Sequence, residues 1–412
     1  VIDLPTGRRT QRYSFEKQIF EIKNNNAMGN NGMKAHKSLN RFSLVAPALK
    51  IMTLYFKNSS MKMTYQFVYG LILFCSLAAQ GQQQKTFSNP LLSSGADPWC
   101  IYKNGFYYYT NSTGRNITLW KTNNIATLKT AEKKVVFTPP ATGPYSKELW
   151  APEIHFLQGK WYIYFAADSG RNINHRLWVL ENSSADPLKG EWIMKGKFTT
   201  PEDKWSIDGS VFEYKKQLYT TWSGWEGDAN GEQDIYIAKM KNPWTVDGAR
   251  AKLSTPSLPW EIHGDLHNAD DVPHVNVNEG PEVLVHGNKL FLIYSASGCW
   301  TDFYALGMLT AKAGSNLMDP TSWKKSPDPV FKQSPGNSVY APGHNSFFKS
   351  PDGKEDYILY HANSKPGQGC GGFRSPRAQK FTWNKDGSPN FGVPVKEGAT
   401  LAVPSGNSNG EW

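Results

Sequence analysis

At 412 residues, with 39% hydrophobic and 19% charged residues, the chain can bury a large core, which excludes a disordered polypeptide. A formal charge of +10 invites a polyanionic partner, yet about seven of those units fall within residues 1–60 and the rest of the chain is nearly balanced. The balanced part carries no interleaved basic and aromatic stripe, so no nucleic-acid partner is expected.

Residues 1–60 show no clean periodicity and are expected to be a spurious or disordered N-terminal extension. Residues 61–81 read as a secretory signal. Met61-Lys62-Met63 is its basic start, Phe67 to Ala79 its apolar stretch and Ala78-Ala79-Gln80-Gly81 its small-residue exit. Translation is accordingly expected to start near Met61 or Met63. The apolar stretch, ~14 residues, falls short of the ~20 needed to cross a bilayer, so no membrane association is expected after signal removal. The mature chain is expected outside the cytoplasm, extracellular or periplasmic.

Residues 82–412 repeat one pattern five times. Asp97-Pro98-Trp99 leads through Asn104-Gly105 into Phe106-Tyr107-Tyr108-Tyr109, and Ala151-Pro152-Glu153 through Gln158-Gly159 into Trp161-Tyr162-Ile163-Tyr164. Asp208-Gly209-Ser210 leads through Lys215-Lys216 into Leu218-Tyr219-Thr220-Thr221-Trp222. Glu279-Gly280-Pro281 leads through His286-Gly287-Asn288 into Leu290-Phe291-Leu292-Ile293-Tyr294, and His344-Asn345-Ser346 through Asp352-Gly353 into Tyr357-Ile358-Leu359-Tyr360. Each unit is a β-hairpin, and a recurrence of roughly 55–70 residues marks a radial repeat. The expectation is an all-β, five-bladed β-propeller with few helices. If the five turns are equivalent, Asp97, Ala151, Asp208, Glu279 and His344 share one register at the mouth of a central channel.

The connections 138–144 and 256–278 are expected to rim a cleft. The second holds His263, Asp265, His267, Asp270, Asp271 and His274 without a repeated spacing, which favours a solvated loop over a metal site. Cys299 and Cys370 follow neighbouring units and are expected to pair, leaving Cys100 free.

Three converging carboxylates suit hydrolysis of a glycosidic bond, in which one carboxyl protonates the leaving oxygen and another activates water. The acid must keep its proton near neutrality, which burial or a neighbouring negative charge provides. Trp99, Trp150 and Trp222 lie close to this register and could offer flat faces to sugar rings. Glu153 reads as a structural hydrogen-bonding residue and Glu282 as a neighbour of the site.

Asp97 in Ala-Asp-Pro-Trp, Trp150-Ala151-Pro152-Glu153, Asp208 in Ile-Asp-Gly-Ser, Glu279 in Glu-Gly-Pro and His344 in Gly-His-Asn-Ser together resemble glycoside hydrolase family 43. The resemblance runs from about Asn89 to Gly392. It implies a five-bladed propeller and an inverting mechanism with Asp97 as general base, Glu279 as general acid and Asp208 as the residue that tunes and orients the acid. His344 matches a channel-axis histidine associated with calcium or a water cluster, so one structural calcium ion is implied and no cofactor for the chemistry. Arg374 matches an arginine that contacts the terminal sugar, with Arg377 its rival.

The stretch Trp222-Ser223-Gly224-Trp225-Glu226-Gly227-Asp228, followed by Ile235-Tyr236-Ile237-Ala238-Lys239-Met240, is similar to the branch containing exo-acting α-L-arabinofuranosidases. The implied partner is an arabinan or arabinoxylan chain or its oligosaccharides. β-Xylosidase and endo-arabinanase activities of the same family stay open, as does a non-catalytic carbohydrate-binding propeller, against which the three acids count.

Overall fold

The computed structural model describes residues 85–264 and 275–406. The extension and signal expected within residues 1–81 lie outside the described residues, as do Asp265, His267, Asp270, Asp271 and His274.

Each repeat forms a four-stranded antiparallel meander. Blade one comprises Ala96–Lys103, Phe106–Ser112, Ile117–Thr122 and Glu132–Phe137, and blade two Lys147–Leu157, Lys160–Asp168, Arg176–Asn182 and Ile193–Phe198. Blade three comprises Ser206–Tyr214, Gln217–Trp225, Gln233–Asn242 and Thr245–Ser254. Blade four comprises Asn278–His286, Lys289–Ala296, Ala305–Lys312 and Trp323–Lys325, and blade five Tyr340–Lys349, Asp356–Asn363, Ser375–Trp383 and Pro389–Asn390. The first strand of each blade packs beside that of the next, and the fifth beside the first, so the ring closes around these inner strands. The only helices among the described residues are short 3-10 turns.

The second strand of each blade lies between two neighbouring blades, which explains its run of apolar residues in place of alternation. Leu290, Phe291, Leu292, Ile293 and Tyr294 are all completely buried. The core is accordingly five wedges, one between each pair of blades. Trp161 and Ile163 anchor the wedge between blades one and two, and Phe291, Ile293 and Ile358 the wedge between four and five.

Closure of the ring is tied by local pairing. Thr86–Phe87 pairs with Leu401–Ala402, joining the two ends of the described chain. The Asn89 side-chain amide donates to the Ala378 carbonyl at 2.9 Å and accepts from the Ala378 N–H at 2.9 Å, so it satisfies both backbone polar groups of one residue of blade five. Cys299 and Cys370 form a disulfide with Cα atoms 5.2 Å apart, and Cys100 is free and buried, as expected.

Arg377 belongs to this framework. Its side chain is completely buried and its Nη2 meets the Glu397 carboxylate at 2.6 Å, which pins the C-terminal segment to blade five. Removing Glu397 would strand a buried guanidinium. Because Glu397 is itself partly exposed, Glu397→Ala is expected to cost about 1–3 kcal/mol, read from chemical denaturation; an unchanged unfolding midpoint would show that Arg377 finds other compensation.

Candidate active site

Every inner strand carries a β-bulge near its start, where one residue turns left-handed: Asp97 (φ 55°), Ala151 (φ 42°), Asp208 (φ 55°), Gly280 (φ 57°) and His344 (φ 50°). Side chains with a Cβ rarely adopt this conformation, and Asp takes it more readily than a bulky residue. This corrects the register expected from the turns. In blade four the equivalent of Asp97 and Asp208 is Gly280, and Glu279 precedes it by one residue. A Cβ on Gly280 would stand 3.3 Å from the His344 ring, so both the backbone and the space call for glycine there.

Glu279 still reaches the same place. Ligand-type atoms of Asp208, Glu279 and His344 all lie within 4.8 Å of one another, and the Gly280 N–H donates to Asp208 Oδ2 at 3.0 Å. His344 Nδ1 lies 3.3 Å from Asp97 Oδ1. The four side chains that the repeat expected at one mouth are therefore brought together there.

The surroundings separate the three acids. Asp97 is buried, which raises its carboxyl pKa, but this is outweighed by the charges around it and by Ser112, so the group sits below the ordinary carboxylate range. Arg374 Nη1 lies 3.2 Å from Asp97 Oδ1, and the Ser112 hydroxyl donates to Oδ2 at 2.5 Å while accepting the Ala151 N–H at 2.7 Å. His361 Nδ1 accepts the Asp97 N–H at 3.1 Å, so that nitrogen carries no proton and its 3.5 Å approach to the carboxylate is no ion pair. Burial pushes both His361 and His344 toward the neutral form. Arg374 and Ser112 are what keep Asp97 ionised.

Glu279 goes the other way. Burial pushes its pKa up to about 7; the Tyr304 hydroxyl, donating to Oε1 at 2.7 Å, and Arg374 pull it down, while the Asp97 charge pushes it up. Asp208 is raised well above the usual range by burial, then by Glu279 and Asp97. Two like charges in one dry pocket do not both ionise easily, so Asp208 and Glu279 titrate as a pair that retains a proton near neutrality. The site can thus present one fixed carboxylate and one proton donor.

The expected sugar-facing residues divide. Trp99 is buried between blades one and two, donating its indole N–H to the Ile154 carbonyl at 2.8 Å, and Trp222 is buried between blades two and three. Neither offers a face to a sugar. Trp150 keeps an exposed portion beside Ala151, with its ring stacked on His175 at 4.0 Å. Of the two arginines, Arg374 meets Asp97 and Arg377 meets Glu397. Glu153 and Glu282 follow the bulges; Glu153 hydrogen-bonds His155 at 3.0 Å, and burial raises both carboxyls.

Ser112, Ser295, Tyr304 and His361 were not singled out from the sequence. Three of them share a signal: a polar residue at the end of an apolar second strand, opposite the start of the inner strand. Ser112 pairs with Ala96, Ser295 with Glu279 and His361 with Gly343.

Asp208, Glu279 and His344 form the one metal-capable group among the described residues. Calcium takes about six to eight oxygen ligands, whereas this set offers two carboxyl groups and a nitrogen, and burial favours the uncharged form of both carboxyls. The described side chains do not by themselves fit calcium.

The family profile described as Glycosyl hydrolases family 43 matches residues 87–389. The chain is 40% identical over 323 residues to an extracellular exo-alpha-(1->5)-L-arabinofuranosidase of Streptomyces avermitilis, covering 76% of this chain and 65% of that protein. It is thus similar to about two thirds of that relative's length. It is 35% identical over 355 residues to alpha-L-arabinofuranosidase 43 of Humicola insolens, covering 82% and 71%. A crystal structure of an alpha-L-arabinofuranosidase from Lactobacillus brevis superposes with a TM-score of 0.70 at 35% identity, over 76% of this chain and 98% of that one.

Tyr304→Phe removes the hydroxyl that favours ionised Glu279. Its pKa is expected to rise above about 7, read by carboxyl carbon NMR titration; a fall would show that the hydroxyl instead stabilises the protonated form.

Proposed function

The chain belongs to glycoside hydrolase family 43, and from that premise we propose that it is a secreted, inverting α-L-arabinofuranosidase. It would release terminal α-L-arabinofuranosyl residues from arabinan-type or arabinoxylan-type chains and oligosaccharides. The relatives named for this activity, one of them named extracellular, support the substrate class and the location. A disulfide between Cys299 and Cys370 suits an oxidising destination.

The observation that carries the reading is the opposed protonation of Asp97 and Glu279 in one buried pocket. Asp97, ionised, takes a proton from water as that water attacks the anomeric carbon. Glu279, protonated, gives its proton to the departing glycosidic oxygen as the C–O bond breaks. The anomeric configuration inverts, and solvent exchange returns both groups to their starting states. Asp208 accepts the Gly280 N–H behind Glu279, which orients the acid, and its proximity makes a second negative charge in the pocket costly, which keeps the acid protonated. Arg374 keeps Asp97 charged, and in this reading it contacts the terminal sugar. His344 lies against Asp97 and within 4.8 Å of the carboxylate pair.

The test compares two leaving groups. Glu279→Ala should lower kcat/KM on an arabino-oligosaccharide by roughly 10²–10⁴-fold and far less on an activated aryl arabinofuranoside, whose leaving group hardly needs a proton. Asp97→Asn should abolish turnover of both. Equal losses on the two substrates for Glu279→Ala would remove it from the acid role.

A further inference from the structure

Inner strands start at the mouth, so the loops joining second to third strands return to the same end. In blades four and five these loops, residues 297–304 and 364–374, are cross-tied with residues 260–264 into one frame. The Cys299–Cys370 disulfide joins the two loops, and the Gly367 N–H donates to the Asp302 carboxylate at 2.9 Å. The Ser297 N–H donates to the Glu261 carbonyl at 3.0 Å, the Gly298 N–H to the His263 carbonyl at 2.9 Å, and the Trp300 indole to the Gly264 carbonyl at 2.8 Å.

This frame holds an aromatic ring out toward water. Phe303 is 52% exposed and stacks on His263, with ring centroids 4.3 Å apart at 23°. Single exposed apolar side chains are common on protein surfaces, but this one is held in place by a braced loop at the mouth, where a ligand entering the pocket can meet it. Phe303 directly precedes Tyr304, whose hydroxyl donates to the Glu279 carboxyl, and its loop lies at the mouth end of blade four.

We propose that Phe303, seated on His263, is the platform for the leaving-group sugar, the unit whose oxygen accepts the proton from Glu279. This rests on the proposed hydrolase activity and deepens it by assigning a specificity residue outside the carboxylate pocket. An aromatic face suits the apolar face of a sugar ring, and a ring already ordered by its neighbour loses little freedom on binding. The exposed Phe373 precedes Arg374 and so flanks the Asp97 side instead.

The experiment reads KM for an α-(1→5)-linked arabinotriose, kcat, and the inhibition constant of free L-arabinose, which occupies only the terminal-sugar position. Phe303→Ala should raise KM roughly 3–10-fold with kcat and the arabinose inhibition constant little changed, and Phe303→Tyr should restore KM. An unchanged KM in Phe303→Ala would overturn the assignment. So would a fall in kcat with an equal weakening of arabinose binding, because that pattern reports a disturbed Tyr304 and Glu279. Wild-type protein inert toward every arabinofuranoside would instead sink the functional reading, and the subsite with it.

Discussion

The Asp97 carboxylate is held by two groups that the chain supplies 277 and 15 residues away, Arg374 from blade five and Ser112 from the neighbouring strand. The Ser112 contact is made within the first hairpin, but the Arg374 contact exists only because the fifth inner strand comes to lie beside the first. Ring closure is thus a condition for the charge state of one carboxyl. The Thr86–Phe87 and Leu401–Ala402 pair, the Asn89 bridge to Ala378 and the Arg377–Glu397 pair all act on that seam. None of them touches the pocket, yet each keeps Arg374 within reach of Asp97.

The same closure produces the opposite state a few ångströms away. Burial raises all three acids, and what distinguishes them is the partner each one finds. Asp97 receives a guanidinium and a hydroxyl. Asp208 and Glu279 receive chiefly each other, a backbone N–H and a phenol, which is too little to ionise both. A single fold with one repeated strand therefore generates a base and an acid from similar residues, because the five positions differ in what the neighbouring loops bring.

Much of this was legible in the sequence, and the failures have physical causes. Five hairpins could be counted from their turns because a strand buried on both faces reads as an apolar run, as at Leu290 to Tyr294. The register failed by one residue at Glu279, since counting back from a turn assumes an unbroken ladder and each inner strand carries a bulge. The residue types hold the answer: Asp tolerates the left-handed position at 97 and 208, whereas at 280 the chain uses Gly and places its Glu just before it. Trp99 and Trp222 failed as sugar platforms because aromatic content alone does not separate a residue wedged between blades from one facing the mouth. Tyr304 belongs to a loop with no periodicity, and only the fold shows that its hydroxyl reaches Glu279.

The chemistry requires the Asp208–Glu279 pair to retain a proton near neutrality while Asp97 does not. The pH profile of kcat/KM on an arabino-oligosaccharide, measured for the wild type and for Asp208→Asn, addresses this directly. A bell is expected, with its basic limb near the value of about 7 to which burial pushes Glu279, and a downward move of that limb once the second carboxyl of the coupled pair is removed. A basic limb that stays in place in Asp208→Asn, or that rises, would contradict it.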